Sequence, residues 1–229
     1  MNNSGNVVYL VDDEVCIREA IADLLNAAEI KVVTFESAAS FLGYEHVETA
    51  GCLLLDLQLP DMSGLELQQK LGSTSSLPIV FLSGHGDIPS SVRAMKAGAV
   101  DFLTKPVQRE ALLAAVGTAF VRDRERRHHE GRLSELQHRL ALLSPREREV
   151  LPLVAAGFLN KQSAAMLGIT EITLQSHRGQ IMRKMAAESF ADLVRMCSDL
   201  GVTRSANPVN PSAENSPTAS LAHGLDRIE

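Results

Sequence analysis

Short apolar runs recur through the first half of the chain, each followed by a polar break and then by apolar residues three and four apart. Val7–Val11 is wholly apolar and rich in β-branched residues, the mark of a buried strand. Residues 15–28 place Ile17, Ile21, Leu24, Leu25 and Ala28 at helical spacing. Lys31–Phe35 reads as a short, partly exposed strand, followed by a helix capped by Ser37. Residues 52–57 form a third strand, Pro60-Asp61-Met62-Ser63-Gly64 is turn chemistry, and 65–71 is helical. Residues 78–82 predict a fourth strand, 87–97 a helix ended by Gly98, and 100–104 a fifth strand. Strand and helix alternating five times predicts a doubly wound α/β fold with a five-stranded parallel sheet. Right-handed crossovers would cover both faces of that sheet, which explains strands that are apolar almost throughout.

Beyond Pro106 the pattern is helical only. Leu112, Leu113, Val116 and Phe120 give an apolar stripe, and 122–129 is a run of charge that reads as solvated. Leu133, Leu136 and Leu140 follow at the spacing of a short coiled-coil seam, too few turns to imply a dimer. Gly131 leaves two alternatives, one helix continuing as a linker or two helices broken there. Residues 142–204 predict four helices. Ser144-Pro145-Arg146-Glu147 is a capping box with Pro at the first helical position, and Pro152 inside that helix should bend it. Asn160, Thr170 and Ser189 are the expected caps of the next three. The tail, 205–229, carries Pro208, Pro211 and Pro217 among small polar residues and holds too little apolar surface to fold alone. The expected organisation is an α/β domain over 5–122, a linker helix over 123–141, an all-α domain over 142–204 and a disordered tail.

Charge sharpens this division. Residues 1–107 carry a net charge of −8, whereas 108–141 and 142–204 each carry +2. The acidic front would repel nucleic acid, while the mildly basic back could approach it. No apolar run approaches the roughly 20 residues of a membrane span, and Met1-Asn2-Asn3-Ser4 opens no signal region. Cys16, Cys52 and Cys197 have no metal-ligand spacing and no evident pairing, and Cys16 and Cys52 read as small core residues. A cytoplasmic, reducing location is expected.

Candidate chemistry gathers at the ends of strands. Asp12-Asp13, Asp56 and Lys105-Pro106 each directly follow an apolar run. In an open parallel sheet, ligands bind outside the carboxyl ends of the strands, so these groups should meet at one rim. Three close carboxylates repel one another unless a divalent cation neutralises them, which predicts Mg²⁺ beside one reactive aspartate. Asp61 and Asp101 read instead as solvated surface, and Phe102 has an alternative as core filler.

The first half resembles the receiver domain of two-component response regulators. The resemblance rests on Val11-Asp12-Asp13-Glu14, Leu55-Asp56-Leu57-Gln58-Leu59-Pro60-Asp61-Met62-Ser63-Gly64, Ser83-Gly84-His85-Gly86-Asp87, Met95-Lys96-Ala97-Gly98-Ala99 and Lys105-Pro106. It implies that Asp56 accepts a phosphoryl group from a sensor histidine kinase. Asp13, Asp56 and the backbone carbonyl of Gln58 would hold Mg²⁺, with Asp12 acting mostly through water. Lys105 and Ser83 would contact the phosphoryl oxygens, and Phe102 would be the aromatic switch. Pro106 would follow a cis peptide, and Gln58 and His85 would tune phosphate lifetime.

The second half resembles the LuxR-type helix-turn-helix. The matching strings are Leu143-Ser144-Pro145-Arg146-Glu147-Arg148-Glu149-Val150-Leu151, Gly157-Phe158-Leu159-Asn160-Lys161-Gln162-Ser163-Ala164, Leu167-Gly168-Ile169-Thr170 and Thr173-Leu174-Gln175-Ser176-His177-Arg178. It implies that the helix over Glu171–Met185 enters the major groove of double-stranded DNA. Spacing turns Leu174, Ile181 and Met185 inward and Gln175, Ser176, Gly179 and Arg183 outward. Gln175, where many relatives have lysine, can read adenine bidentately, and Gly179 leaves room for the bases. Lys161, Arg178, Arg183 and Lys184 are candidate phosphate contacts, with Thr173 beside them; His177 has an alternative role packing on the first helix.

Together the halves resemble a response regulator of the FixJ/NarL type. Its expected function is sequence-specific control of transcription, gated by phosphorylation through dimerisation or release of interdomain inhibition. A first rival is a regulator that binds DNA regardless of phosphorylation and uses the receiver as a dimerisation scaffold. A second is a Mg²⁺-dependent aspartyl phosphohydrolase. Such enzymes carry a second acid two residues after the nucleophile, where this chain has Gln58.

Overall fold

The computed structural model describes residues 5–44, 50–72, 77–84 and 88–202. His85, the first residue of the helix expected from 87 and the tail from 205 lie outside them. The chain separates into two compact units that part between Arg132 and Leu133.

In the first unit, strands β1 (Val7–Val11), β2 (Lys31–Phe35), β3 (Gly51–Asp56), β4 (Ile79–Ser83) and β5 (Asp101–Thr104) alternate with helices α1 (Val15–Asn26), α2 (Ala38–Leu42), α3 (Gly64–Leu71) and α4 (Ile88–Lys96), and α5 (Arg109–Ala141) follows β5. The sheet is parallel throughout, in the order β2-β1-β3-β4-β5. This is the doubly wound α/β fold that the alternation predicts. The chain order reverses beside β1, so β1 and β3 are neighbours whose carboxyl ends open onto a crevice.

Every residue of β1, β3 and β4 is buried, whereas the edge strand β2 is partly exposed. Side chains alternate between two cores. Tyr9, Leu53, Leu55 and Phe81 pack on one face with Phe35, Phe41 and Leu67, and Leu10, Leu54, Val80 and Leu82 pack on the other with Leu25, Leu112 and Val116. Tight packing leaves no room at Gly64, where an added Cβ would lie 2.3 Å from the Asp56 carbonyl oxygen.

Helix α5 runs unbroken through Gly131, which settles the two alternatives in favour of one helix. Two residues differ from expectation here. Asp123, within the charge run read as solvated, is fully buried. Its carboxylate accepts the Gly51 N–H at 2.9 Å, Arg126 at 2.5 and 3.1 Å and Arg127 at 2.9 Å. Cys16, read as core, is exposed. It sits one position before Ile17, just off the apolar face of α1.

The second unit contains α6 (Pro145–Ala155), α7 (Asn160–Leu167), α8 (Glu171–Met185) and α9 (Phe190–Asp199), packed around Val150, Leu151, Leu174, Ile181, Met185 and Leu193. Leu140 packs against the same core, and Leu136 is buried within the single chain. Ser144, Thr170 and Ser189 cap their helices as expected. Asn160 does not. The cap of α7 is Leu159, whose N–H is met by the Gln162 side chain at 3.0 Å, and Asn160 Oδ1 instead accepts from Arg178 at 2.6 Å.

Candidate functional site

The rim at the carboxyl ends of β1, β3 and β5 brings together the acids and the base that the sequence spaces far apart. Asp12 directly follows β1 and is fully buried; Asp56 ends β3 and is also buried. Asp13 is exposed beside them. One carboxylate oxygen from each of the three lies within 4.8 Å of the others.

Lys105, just past β5, reaches into this cluster. Its Nζ is 2.7 Å from Asp12 Oδ2 and 2.8 Å from Asp56 Oδ2, with Glu14 Oε1 at 3.3 Å. The Lys105–Pro106 peptide is cis, and the Lys105 N–H donates to the Ser83 carbonyl at 2.7 Å, which ties the lysine to the end of β4. Ser83 is buried at that end, opposite Thr104. Phe102 is half-buried, its ring 6.3 Å from that of Phe81.

Electrostatics at the rim are unbalanced. Burial pushes the Asp12 carboxyl above its ordinary value, against the Lys105 bond and the Glu14 N–H that Oδ1 accepts at 3.0 Å; the neighbouring Asp56 charge pushes it further up. Burial alone would lower the Lys105 ammonium, but its bonds to Asp12 and Asp56 outweigh that and hold it above the ordinary lysine value. Asp12 Oδ2 is ion-paired with Lys105 and accepts no other hydrogen bond among the described residues. Among the described residues, the Lys105 ammonium, with the Arg18 guanidinium on the Asp12 carbonyl at 2.6 Å, stands against three clustered carboxylates and Glu14, so negative charge is in excess. This donor set of hard oxygens around a local excess of negative charge fits a divalent cation.

Asp56 is held by the turn that follows it. The Gln58 N–H donates to Asp56 Oδ1 at 3.3 Å, and Gln58 pairs with Ser63 in an isolated antiparallel bridge. Asp61, in the same turn, is exposed as expected, yet it also has a structural use. Its carboxylate accepts the Ala38 and Ala39 N–H groups at 3.3 and 2.8 Å, which outweigh desolvation and hold it below its ordinary value. Asp101 likewise accepts the Phe102 N–H at 2.8 Å.

In the second unit, α8 exposes Thr173, Gln175, Ser176, Gly179 and Arg183 and buries Leu174, Ile181 and Met185. Nothing lies within 4 Å of where a Cβ at Gly179 would stand. Lys161 is exposed at the start of α7, and His177 is half-exposed. Arg178 and Lys184 are engaged internally. Arg178 bonds Asn160 and stacks 5.4 Å over the Phe190 ring, and Lys184 Nζ lies 2.7 Å from Glu147 Oε2. The link between α7 and α8 turns at Gly168, with φ +65°, and Thr170 Oγ1 accepts the Thr173 N–H at 3.1 Å.

Residues 8–117 match the response regulator receiver domain family, and residues 141–197 match the bacterial regulatory proteins of the luxR family. The chain belongs to the two-component response regulators with a LuxR-type DNA-binding domain. It is 45% identical over 198 residues to Nodulation protein W of Bradyrhizobium diazoefficiens, covering 86% of this chain and 87% of that protein. Response regulator protein TmoT of Ectopseudomonas mendocina is 44% identical over 201 residues, 87% of this chain and 91% of the relative. Among solved structures, that of response regulator StyR aligns with a TM-score of 0.74 at 42% identity, over 85% of this chain and 98% of its own. The chain is therefore a regulator of transcription. Its acidic rim is of the kind at which receiver domains bind Mg²⁺. Among the described residues, no helix is long and apolar enough to cross a membrane.

Proposed function

We propose that Asp56 is the phosphoacceptor and that its phosphorylation by a sensor histidine kinase gates DNA binding by α8. The observation that carries this is the Asp12–Asp56–Lys105 cluster, where one ammonium bridges two buried carboxylates within 2.8 Å. An Asp56 carboxylate oxygen attacks the donor phosphorus, so that a P–O bond replaces the P–N bond of a phosphohistidine. Asp13, Asp56 and the Gln58 carbonyl would hold Mg²⁺, with Asp12 behind them. When bound, the ion offsets charge on the phosphoryl oxygens. Lys105 supplies a second positive charge there. Its ties to Asp12 and Asp56 are also the ones that a phosphoryl group would redirect. Ser83 donates its hydroxyl to the new phosphate, and Phe102 turns in response as the aromatic switch. The chain acts on no other substrate; its own phosphorylation and dephosphorylation are the whole of its chemistry.

In the output domain, Gln175, Ser176 and Gly179 face the bases. Lys161 and Arg183, with Thr173, His177 and Arg178, contact the backbone. Lys184 adds less, since Glu147 offsets its charge. Residues 123–141 act as the linker helix. Phosphorylation promotes a homodimer whose two α8 helices take two half-sites, in the cytoplasm where the DNA lies. A few kcal/mol between the two states suffices for such a gate.

Substitution Asp56→Asn tests this. Wild type should form an acid-labile adduct with acetyl phosphate and bind operator DNA more tightly afterwards. Asp56→Asn should do neither. Equal operator affinity with and without the phosphodonor in wild type would favour the scaffold alternative, and beryllofluoride should then leave the oligomeric mass unchanged. Gln58 in place of a second acid weighs against phosphohydrolase turnover.

A further inference from the structure

Ile172 is 80% exposed, the most exposed large apolar side chain among the described residues. A solitary exposed isoleucine is ordinary on a protein surface. What sets Ile172 apart is its place. It stands in the first turn of α8, and helical spacing puts it on one stripe with Gln175, Ser176, Gly179 and Arg183, all exposed. Leu174, two residues on, points to the opposite side and is fully buried. The apolar side chain thus lies on the face proposed to meet the bases, at the helix end that leads into the groove in a helix-turn-helix.

The turn is also held rigidly. Thr170 Oγ1 accepts the Thr173 N–H, and the two threonine hydroxyls lie 2.8 Å apart. Gly168 sets the entry to the helix from the left-handed region. A side chain on so constrained a turn is pre-positioned, so its contact costs little ordering. In the major groove one apolar group is presented by the bases, the C5-methyl of thymine. Gln175, one turn further along, can take an adenine edge.

We infer that Ile172 is a specificity-determining residue that reads a thymine methyl group in the operator. The assignment rests on α8 being the recognition helix. It adds an apolar contact to the polar readout by Gln175.

The full-length protein, activated with beryllofluoride, is used to select duplexes from random DNA. Each thymine of the selected site is then replaced singly by deoxyuridine, which removes only the methyl group. At one thymine, wild type should lose about fourfold in affinity, the value of one buried methyl-sized group. Ile172→Ala should bind the same duplex with no further loss at that position, while Gln175→Ala keeps the wild-type response to deoxyuridine. Because Ile172 is exposed, Ile172→Ala should leave thermal unfolding unchanged. If wild type and Ile172→Ala respond identically at every thymine, the assignment of Ile172 fails while sequence-specific binding stands. If no sequence is enriched at all, the role of α8 itself falls.

Discussion

Strand β3 has a charged cluster at each end, and the two are built differently. At its carboxyl end, Asp56 joins Asp12 and Asp13 against the single ammonium of Lys105. At its start, the Gly51 N–H meets one carboxylate, Asp123, which is already bonded to two guanidiniums. The second cluster satisfies itself, with both Asp123 oxygens facing donors and its two guanidiniums matched by Asp123 and Glu130. The first does not: among the described residues, acids are in excess, and Asp12 Oδ2 has the shared Lys105 ammonium alone. A self-satisfied buried charge holds a fold together; an unbalanced one waits for a ligand. Burial and depth alone would not distinguish them, because Asp12 and Asp123 are both fully buried.

The largest expected effect tests the self-satisfied end. Asp123→Ala removes the buried carboxylate that the Gly51 N–H, Arg126 and Arg127 share, and breaking a buried pair in this way costs about 3–5 kcal/mol. Chemical denaturation of the receiver unit should show a loss of that size. It should be the same with and without Mg²⁺, because this cluster has no use for a cation. Magnesium-dependent recovery of Asp123→Ala would erase the contrast between the two ends.

The opposite end should respond the opposite way. A ligand that binds only the folded state stabilises it by about 2.7 kcal/mol at a hundredfold excess over its Kd. Wild type should show a magnesium-dependent rise of this order in its unfolding midpoint. Lys105→Ala should start lower in EDTA, where Asp12 and Asp56 face each other without their shared cation. It should then gain more from Mg²⁺ than wild type, because no ammonium competes at the rim. A midpoint indifferent to Mg²⁺ in both proteins would mean that the rim is as self-sufficient as the Asp123 cluster.

The two ends also differ in how far the sequence reveals them. The rim is legible because an acid immediately after a buried strand is conspicuous, and because an open parallel sheet sends all such positions to one edge. The central strands β1, β3 and β4 are legible as nearly unbroken apolar runs. Asp123 is invisible by the same criteria. It lies among Arg122, Arg124, Arg126 and Arg127 on a helix, and only the register of α5 against the start of β3 turns it inward while its neighbours stay in water. Cys16 and Asn160 fail for a smaller reason, each one residue from the position that the pattern suggests. Asp61 reads as surface, and its use as an acceptor for Ala38 and Ala39 depends on two turns 22 residues apart coming together. The outward stripe of α8 follows from spacing, yet the internal engagement of Arg178 and Lys184 depends on α6, α7 and α9 arriving beside it.

The second unit supplies an intermediate case with the smallest expected effect, one acid matched to one base. Glu147 is buried at the start of α6, where Oε2 accepts both the Lys184 ammonium and the Ser144 N–H at 2.7 Å. The Lys184 bond, helped by Ser144, holds the Glu147 carboxyl below its ordinary value against the opposing pull of burial. A carboxyl lowered in the folded state adds stability that is complete above its unfolded value, about 4.3, and that fades as the pH drops through the folded value beneath it. Glu147→Gln keeps the shape and removes the charge, so it should cost about 1.5 kcal/mol at neutral pH, the value of a hydrogen bond to a charged group. Amide exchange in α8 at a series of pH values reads the difference within this unit alone. The gap between wild type and Glu147→Gln should be constant from pH 7 to near 5 and should narrow progressively as the pH falls below the unfolded value of about 4.3. A gap that persists undiminished in acid would assign the loss to packing around residue 147 and remove Glu147–Lys184 from the series of charged clusters.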